Sequence, residues 1–334
     1  MRYKSYGQRN FLDDMLDESR KKQKQPKKDF LAEIDHYIDW GIYRRPLEKS
    51  FRQSAYGPNR YDVLLMFRML LLQNWYGLSD RELEEMVGDR LSFRRFLGLS
   101  VSDLVPDETT VSLFRKHLTD TGLYDWLFEH MQADLAKRHL LVKKGALMDA
   151  TFIAAPRKDP DARDGHKGHG YSVHTHVDEG SELIREYDVT SANVHDSQPS
   201  DDLLFGDEKS VFADKAYFND EKKRKMREQG VFCGILDKAK RNHPLSRRQI
   251  KRNIRKSRVR SAVEHPFAQM KERQKYRRTR YRGLEKNRCH AALQIMAYNF
   301  RRMVFLLKKQ ARQVVQGMAK VLDEQTRGYC AQMA

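Results

Sequence analysis

At Gly145 the spacing of apolar residues changes period, which restricts the chain to a helical part followed by an α/β part. Before that point, from about Pro46 to Leu140, apolar side chains recur at three and four. Tyr61, Leu64, Leu65, Met69 and Leu72, with Arg68 among them, trace a first helix. Ser79 followed by Glu82 is a capping box that opens a second. A third begins near Asp107, carries Val111, Phe114 and Leu118, and stops before Gly122; a fourth runs from Leu123 to about His139. After Gly145 the period falls to two. Ala146 to Ile153 alternates, with Leu147, Asp149, Thr151 and Ile153 on one face. Tyr171 to Val177 alternates as well, Gly180 marks a turn, and Leu183 to Val189 is its hairpin partner. A helix is expected from Asp196 to Leu204, with strands over Ser210–Ala213 and Val231–Leu236. Helical spacing returns over Ile250–Lys271 and Ala291–Leu307. These elements predict an α/β core behind an all-helical domain.

The expected organisation is a polar, partly ordered arm over residues 1–45, with a basic run from Arg20 to Lys28 and a short helix near Phe30–Trp40. A helical domain over 46–142 would bind DNA or mediate dimerisation. The α/β domain would span 143–300, with a basic insertion near 216–256, and a helical extension would fill 301–334.

Charge identifies the class of partner. The chain carries 64 Lys and Arg against 46 Asp and Glu, a net charge of +18, and such an excess favours a polyanion. It is concentrated: between Lys238 and Arg288 there are 20 Lys or Arg but only Glu264, Glu272 and Glu285. The helical block from Pro46 to Leu140 holds 12 basic and 14 acidic residues, so its short helices fit either a helix-turn-helix reader or a packing bundle. In the basic segment Ile254, Val259, Val263, Phe267 and Met270 are interleaved with the cations. A folded nucleic-acid surface is therefore expected there, with Arg247, Arg248, Lys251, Arg252 and Arg255 tracking the DNA backbone.

Several classes are disfavoured. Cys233, Cys289 and Cys330 have no paired spacing, which argues against a disulfide framework or a thiolate zinc site. The opening residues lack the apolar run of a signal peptide, and Val63–Leu72, interrupted by Arg68, is too short to cross a bilayer. A soluble, cytoplasmic protein is expected, with no membrane partner. Without a Gly-rich phosphate loop, no nucleotide cofactor is expected either.

Three acidic residues stand in company that needs explaining. Asp149 lies inside an apolar strand, Asp214 closes another, and Glu264 is a rare acid in the basic segment. A carboxylate among apolar neighbours is costly unless something compensates it, and a divalent metal does so. Cutting or transferring a phosphodiester at neutral pH calls for two Mg²⁺ held by oxygen ligands, with Mn²⁺ as a substitute. On an unbroken helix Arg260, Glu264 and Lys271 would share one face, beside an apolar face of Val259, Val263, Phe267 and Met270. Pro266 disturbs that arrangement: either the helix kinks there or a new one starts with Pro266 in its first turn. The alternative for Glu264 is an intrahelical salt bridge to Arg260.

Other groups point elsewhere. His166, His169, His174 and His176 could form a zinc site, or be partly buried histidines or DNA contacts. His195-Asp196 is a helix cap or a neighbour of the carboxylates. Asp159, Asp161 and Asp164 look like a solvated turn. Tyr276 and Tyr281 could stack on unpaired bases, or be ordinary surface tyrosines.

At the acidic positions the sequence resembles the bacterial insertion-sequence transposases of the DDE class. The resemblance rests on Met148-Asp149-Ala150-Thr151, on Ala213-Asp214-Lys215-Ala216-Tyr217, and on Arg260, Glu264 and Lys271 at the spacing of the family's Tyr-Arg-Glu-Lys signature. Ser257 stands where that signature has Tyr. Gly170-Tyr171-Ser172-Val173-His174 and Ala192-Asn193-Val194-His195-Asp196-Ser197 also look like the family's core, and the block Tyr61–Leu118 like its N-terminal domain. The resemblance implies an RNase H-like mixed sheet with flanking helices. It implies Asp149, Asp214 and Glu264 as catalytic metal ligands, and phosphate-binding roles for Lys215, Arg260 and Lys271. It further implies double-stranded DNA as partner and a homodimer at the moment of reaction. An endonuclease without strand joining and a DNA-binding regulator without catalysis remain the alternatives.

Overall fold

A computed structural model describes residues 3–22, 29–51, 60–194, 204–217, 220–239 and 244–333. Its N-terminal part is helical: α1 (Phe11–Lys22), α2 (Phe30–Tyr37), α3 (Gly41–Ser50), α4 (Val63–Tyr76), α5 (Asp80–Asp89), α6 (Leu91–Leu97), α7 (Glu108–Asp120) and α8 (Leu123–Lys137). The helix starts are chemically specified. Asp62 caps α4 by accepting from the amides of Leu64 and Leu65 at 2.9 and 3.2 Å, Ser79 and Glu82 form the expected capping box on α5, and Asp107 caps α7. α4 ends at Gly77, whose φ of +63° suits a residue without a Cβ. Although its apolar residues read as one stripe, α4 is buried on 12 of its 14 residues. It is the hub of the helical layer, enclosed rather than half-exposed. Leu31, Ile34, Tyr43 and Leu47 of α2 and α3 join the same core, and α3 runs unbroken through Pro46.

The sheet follows: β1 (Ala146–Ala154), β2 (Arg163–Gly165), β3 (Gly168–Asp178), β4 (Ile184–Ser191) and β5 (Ser210–Ala213). After α9 (Asp220–Glu228) comes β6 (Phe232–Cys233). β3 lies antiparallel to β1 along its whole length and carries β4 and the short β2 on its other edge. β5 runs parallel to β1, and β6 parallel to β5. Three long antiparallel strands with the short β2 at their edge, continued by two parallel ones, make the RNase H-like mixed sheet that the resemblance implies. The expected helix over 196–204 falls outside the described residues, apart from Leu204.

The basic segment forms α10 (Arg247–Arg260), a 3₁₀ turn over Ser261–Val263, and α11 (Glu264–Glu272), before the 50-residue α12 (Leu284–Met333). One continuous helix through Lys271 is therefore not what forms. α11 begins afresh at Glu264, which places Pro266 in a first turn, where its missing N–H costs nothing. Val263, Phe267 and Met270 are buried as expected, but Ile254 is 51% exposed. α12 holds the two layers together: Ala297 O accepts from Trp75 Nε1 at 2.7 Å, and Asn299 brackets the backbone of Ile184 at 2.8 and 3.0 Å. One face of the sheet (Leu147, Ile153, Val173, Val177, Phe212) packs with α11 and α12. The other (Ala146, Met148, Val211, Ala213) packs on Tyr217, Met226 and Ile235.

Candidate active site

The pairing of β1 with β5 decides where the first two acids meet. The register matches Ala146, Leu147 and Met148 with Val211, Phe212 and Ala213. Asp149 and Asp214 are the next residue on each strand. In a parallel pair, residues at the same level point to the same face, so the two carboxylates share one level and one side. Beyond this point β5 ends. β1 meets another chain segment on that edge only at Ala154, where Arg277 O accepts at 3.2 Å and the Thr279 amide donates at 2.8 Å. Among the described residues, 149–153 therefore have no strand beside them on that edge, and a cleft opens there.

Asp149 is the more enclosed of the pair, its side chain about 22% exposed. Oδ1 accepts from the Ala150 amide at 2.9 Å and Oδ2 from Arg260 Nη1 at 2.9 Å. Burial raises its carboxyl above the usual range. Arg260, the Ala150 amide and Lys167 oppose that rise, and the charge of Asp214 adds to it. Asp214 Oδ1 accepts from the Lys215 amide at 2.7 Å, and Asp214 O from the Tyr217 amide at 3.1 Å, so a tight turn fixes the acid at the strand end. The Lys215 side chain is exposed.

Glu264 is placed differently. It is the first residue of α11, exposed, and its carboxylate has no partner among the described residues. The alternative salt bridge to Arg260 does not form, because Arg260 is turned to Asp149 instead. The next residue, His265, anchors the start of α11 on Glu182 at 2.5 Å. Lys271 is half-buried, and burial lowers its ammonium below the usual range; the charges of Lys167 and Arg277 lower it further while Asp149 opposes them. Asp149, Arg260 and Lys271 thus face a common space, although through two helices and not one face.

Among the described residues no three His, Cys, Asp or Glu side chains gather as a preformed metal site. The donors nevertheless suit a hard divalent cation: two carboxylates at one level, and a third, unengaged, at the start of α11. Two further observations agree. Asp149 already takes a cation, the Arg260 guanidinium, and Thr175 Oγ1 on the strand position opposite Asp149 is buried without a hydrogen-bond partner.

The expected DNA-tracking residues Arg247, Arg248, Lys251, Arg252 and Arg255 are all exposed on α10. That helix is seated by Asp237, whose amide and carbonyl bond Asn253, and by Lys256 Nζ on Ile235 O at 2.7 Å.

Several expectations are corrected. Tyr276 is buried, edge-on to His290, which Tyr281 also meets edge-on, so Tyr276 has no face free for a base. Asp159 is not solvated: it is buried and accepts from Tyr171 Oη at 2.7 Å and from the Gly283 amide at 3.1 Å. Asp161 accepts from the Leu284 amide at 2.7 Å at the start of α12. His174 and His176 are fully buried; Thr190 Oγ1 lies 2.9 Å from His174 Nε2, and Glu208 3.7 Å from His176 Nδ1. His195 and Asp196 lie outside the described residues.

One residue whose charge acts on Asp149 escaped the sequence: Lys167, in the two-residue turn between β2 and β3. Its signal was available, since Gly165-His166-Lys167-Gly168 brackets two residues with glycines in the manner of a tight hairpin.

Comparison with known families gives two matches. Residues 141–300 match the model described as "Transposase DDE domain", and residues 19–117 match the one described as "Transposase domain (DUF772)".

Proposed function

Because the chain belongs to the insertion-sequence DDE transposases, we propose that it cuts DNA at the 3′ ends of an insertion sequence and joins those ends to target DNA. The family acts on DNA with a divalent metal. For this chain the cation is Mg²⁺, with Mn²⁺ as a substitute, held by Asp149, Asp214 and Glu264. When bound, two such ions activate an oxygen nucleophile and neutralise charge on the phosphate. The observation that carries this assignment is the shared level of Asp149 and Asp214 on adjoining parallel strands.

The chain's own groups then have distinct tasks. Asp149 presents its oxygens from within β1 and Asp214 from the end of β5, rigid positions that limit reorganisation when charge develops. Arg260 orients Asp149 and opposes the rise that burial imposes on its carboxyl. Lys215 and Lys271 bind phosphate oxygens near the break. Arg247, Arg248, Lys251, Arg252 and Arg255 hold flanking backbone, adding affinity without sequence choice. Cleavage leaves a 3′-hydroxyl; in joining, its oxygen forms a bond to a target phosphorus as the target's own phosphodiester breaks. Bond energy is thus conserved and no covalent protein–DNA link is needed. Two ends imply two protomers at the reaction. The helical block over 46–142 supplies end binding or dimerisation to an α/β catalytic domain over 143–300.

The test uses Asp149→Asn, Asp214→Asn and Glu264→Gln with DNA carrying the inverted repeats that flank the reading frame. Each substitution should abolish Mg²⁺-dependent cleavage and leave end binding largely intact; full cleavage by any of them refutes the assignment. Joining of 3′ ends to a second duplex distinguishes a transposase from an endonuclease.

A further inference from the structure

We propose that α10 lies in the major groove of the element-end duplex, where Ile250 and Ile254 touch base edges, thymine methyls above all, and so contribute sequence choice. This rests on the transposase assignment and deepens it: the cations of the helix supply affinity, and the two isoleucines supply discrimination.

Helical spacing divides α10 into two faces. Asn253, Lys256 and Arg260, at i, i+3 and i+7, hold the helix on Asp237, Ile235 and Asp149. Arg247, Lys251, Ile254 and Arg258, at i, i+4, i+7 and i+11, line the opposite side. All four are exposed. Ile250 flanks Ile254 one turn earlier, and the two are 48% and 51% exposed. An apolar pair is thus set into a ridge of cations. Among the described residues, Arg247, Lys251 and Arg258 have no acidic partner.

A DNA duplex offers the complementary arrangement. Its major groove is about 12 Å wide and admits an α-helix, with base edges and thymine C5-methyl groups on the floor. Phosphates line both walls and suit the cations, but they carry no sequence information. Burying a branched aliphatic side chain against a methyl group is favourable, and it is lost where the methyl is missing. A lipid surface also combines anions with apolar groups, but the far end of α10 meets a catalytic acid: Arg260 donates to Asp149 at 2.9 Å. Ile254 and Ile250 precede Arg260 by about 9 and 15 Å along the helix, at about 1.5 Å per residue. At about 3.4 Å per base pair, both fall within about five base pairs of the reacting phosphate.

The experiment compares the wild-type chain with the double variant Ile250→Ala/Ile254→Ala on a short duplex carrying one flanking inverted repeat, without metal. Each thymine near the cut is replaced singly by deoxyuridine, which removes only the methyl. At one or two positions this should weaken wild-type binding about fourfold and leave the double variant unaffected. The double variant should keep the wild-type salt slope, because isoleucines release no counterions. The wild-type scan decides by itself even where the variant fails to fold: a scan without a penalised thymine overturns the proposal. An equal penalty in both proteins overturns it as well. A flat scan, with binding to phosphatidylglycerol vesicles that the double variant loses, assigns the face to a lipid surface instead. If the wild type cuts DNA while the scan is flat, this inference alone falls. If it cuts nothing with Mg²⁺ or Mn²⁺ yet shows penalised thymines, the enzyme assignment falls and α10 remains a groove reader.

Discussion

Arg260 donates through Nη1 to Oδ2 of Asp149 at 2.9 Å, joining residues 111 positions apart. The contact fixes the end of α10 against β1 and gives a half-enclosed carboxylate its nearest opposite charge. It therefore links the basic segment to the acid that the chemistry needs ionised.

A pH dependence follows. Burial raises the Asp149 carboxyl, and a protonated acid cannot ligate a cation. Cleavage should fall on the acid side at a pH above the ordinary carboxylate range, as Asp149 gains its proton. For stability the sign is opposite: a raised carboxyl favours the fold below its unfolded pKa, and that contribution is lost as pH rises through the folded value. Bound Mg²⁺ should accordingly raise Tm more near neutral pH than in mild acid. Single-turnover rates and thermal melts across pH check both.

Arg260→Gln removes the largest group favouring the ionised form. The acid limb should move to higher pH, and cleavage near neutrality should fall about a hundredfold, within the range lost with one preorganised electrostatic group. Arg260→Lys should recover part of the rate. A profile that keeps its wild-type limb in Arg260→Gln contradicts the role given to the ion pair.

Gly165→Ala should unseat the β2–β3 hairpin, since the new methyl would lie 2.0 Å from Ala192 O. A cost of about 2 kcal/mol is expected from the forced backbone shift, read by urea unfolding.

Arg115 reaches from α7 to Asp80 and Gln73, stacks over the Tyr281 ring at 4.6 Å, and is almost fully buried. Arg115→Met should destabilise the fold by about 3 kcal/mol, because Asp80 loses its cation and keeps only the Gln73 amide. The segment between α11 and α12 should become protease-sensitive before the rest.

Arg247→Ala and Lys251→Ala change exposed side chains of α10. Each should leave Tm within about 1 °C, as surface changes do, and flatten the salt slope of DNA binding by about 0.9. Equal losses on repeat-bearing and random duplexes are expected, since phosphate contacts carry no sequence information.

Much of the fold was legible because it is locally encoded. Caps at Ser79 and Asp107 act over three residues, and the alternation in β1 and β4 repeats over two, so these helix starts and strands could be placed from the chain alone. Local pattern misled where tertiary contacts competed. The three-and-four spacing on α4 suggested a single stripe, whereas its near-continuous apolar run from Val63 to Leu72 is covered on both faces. Arg260, Glu264 and Lys271 fit one ideal helix, yet the chain breaks at Ser261–Val263 and restarts where His265 meets Glu182. Asp159 and Tyr276 looked exposed because their buried partners, Tyr171 and His290, lie elsewhere in the sequence.

By itself the sequence determined the residue chemistry: acids set in apolar strands, a concentrated run of cations, and the order of helices and strands. Only the tertiary structure decided which of these groups meet. The register of β5 on β1 sets Asp149 level with Asp214, and a helix break leaves Glu264 exposed. Periodicity and capping are energies between neighbours in the chain. Register, burial and the meeting of charges arise between segments a hundred residues apart, and no local spacing records them.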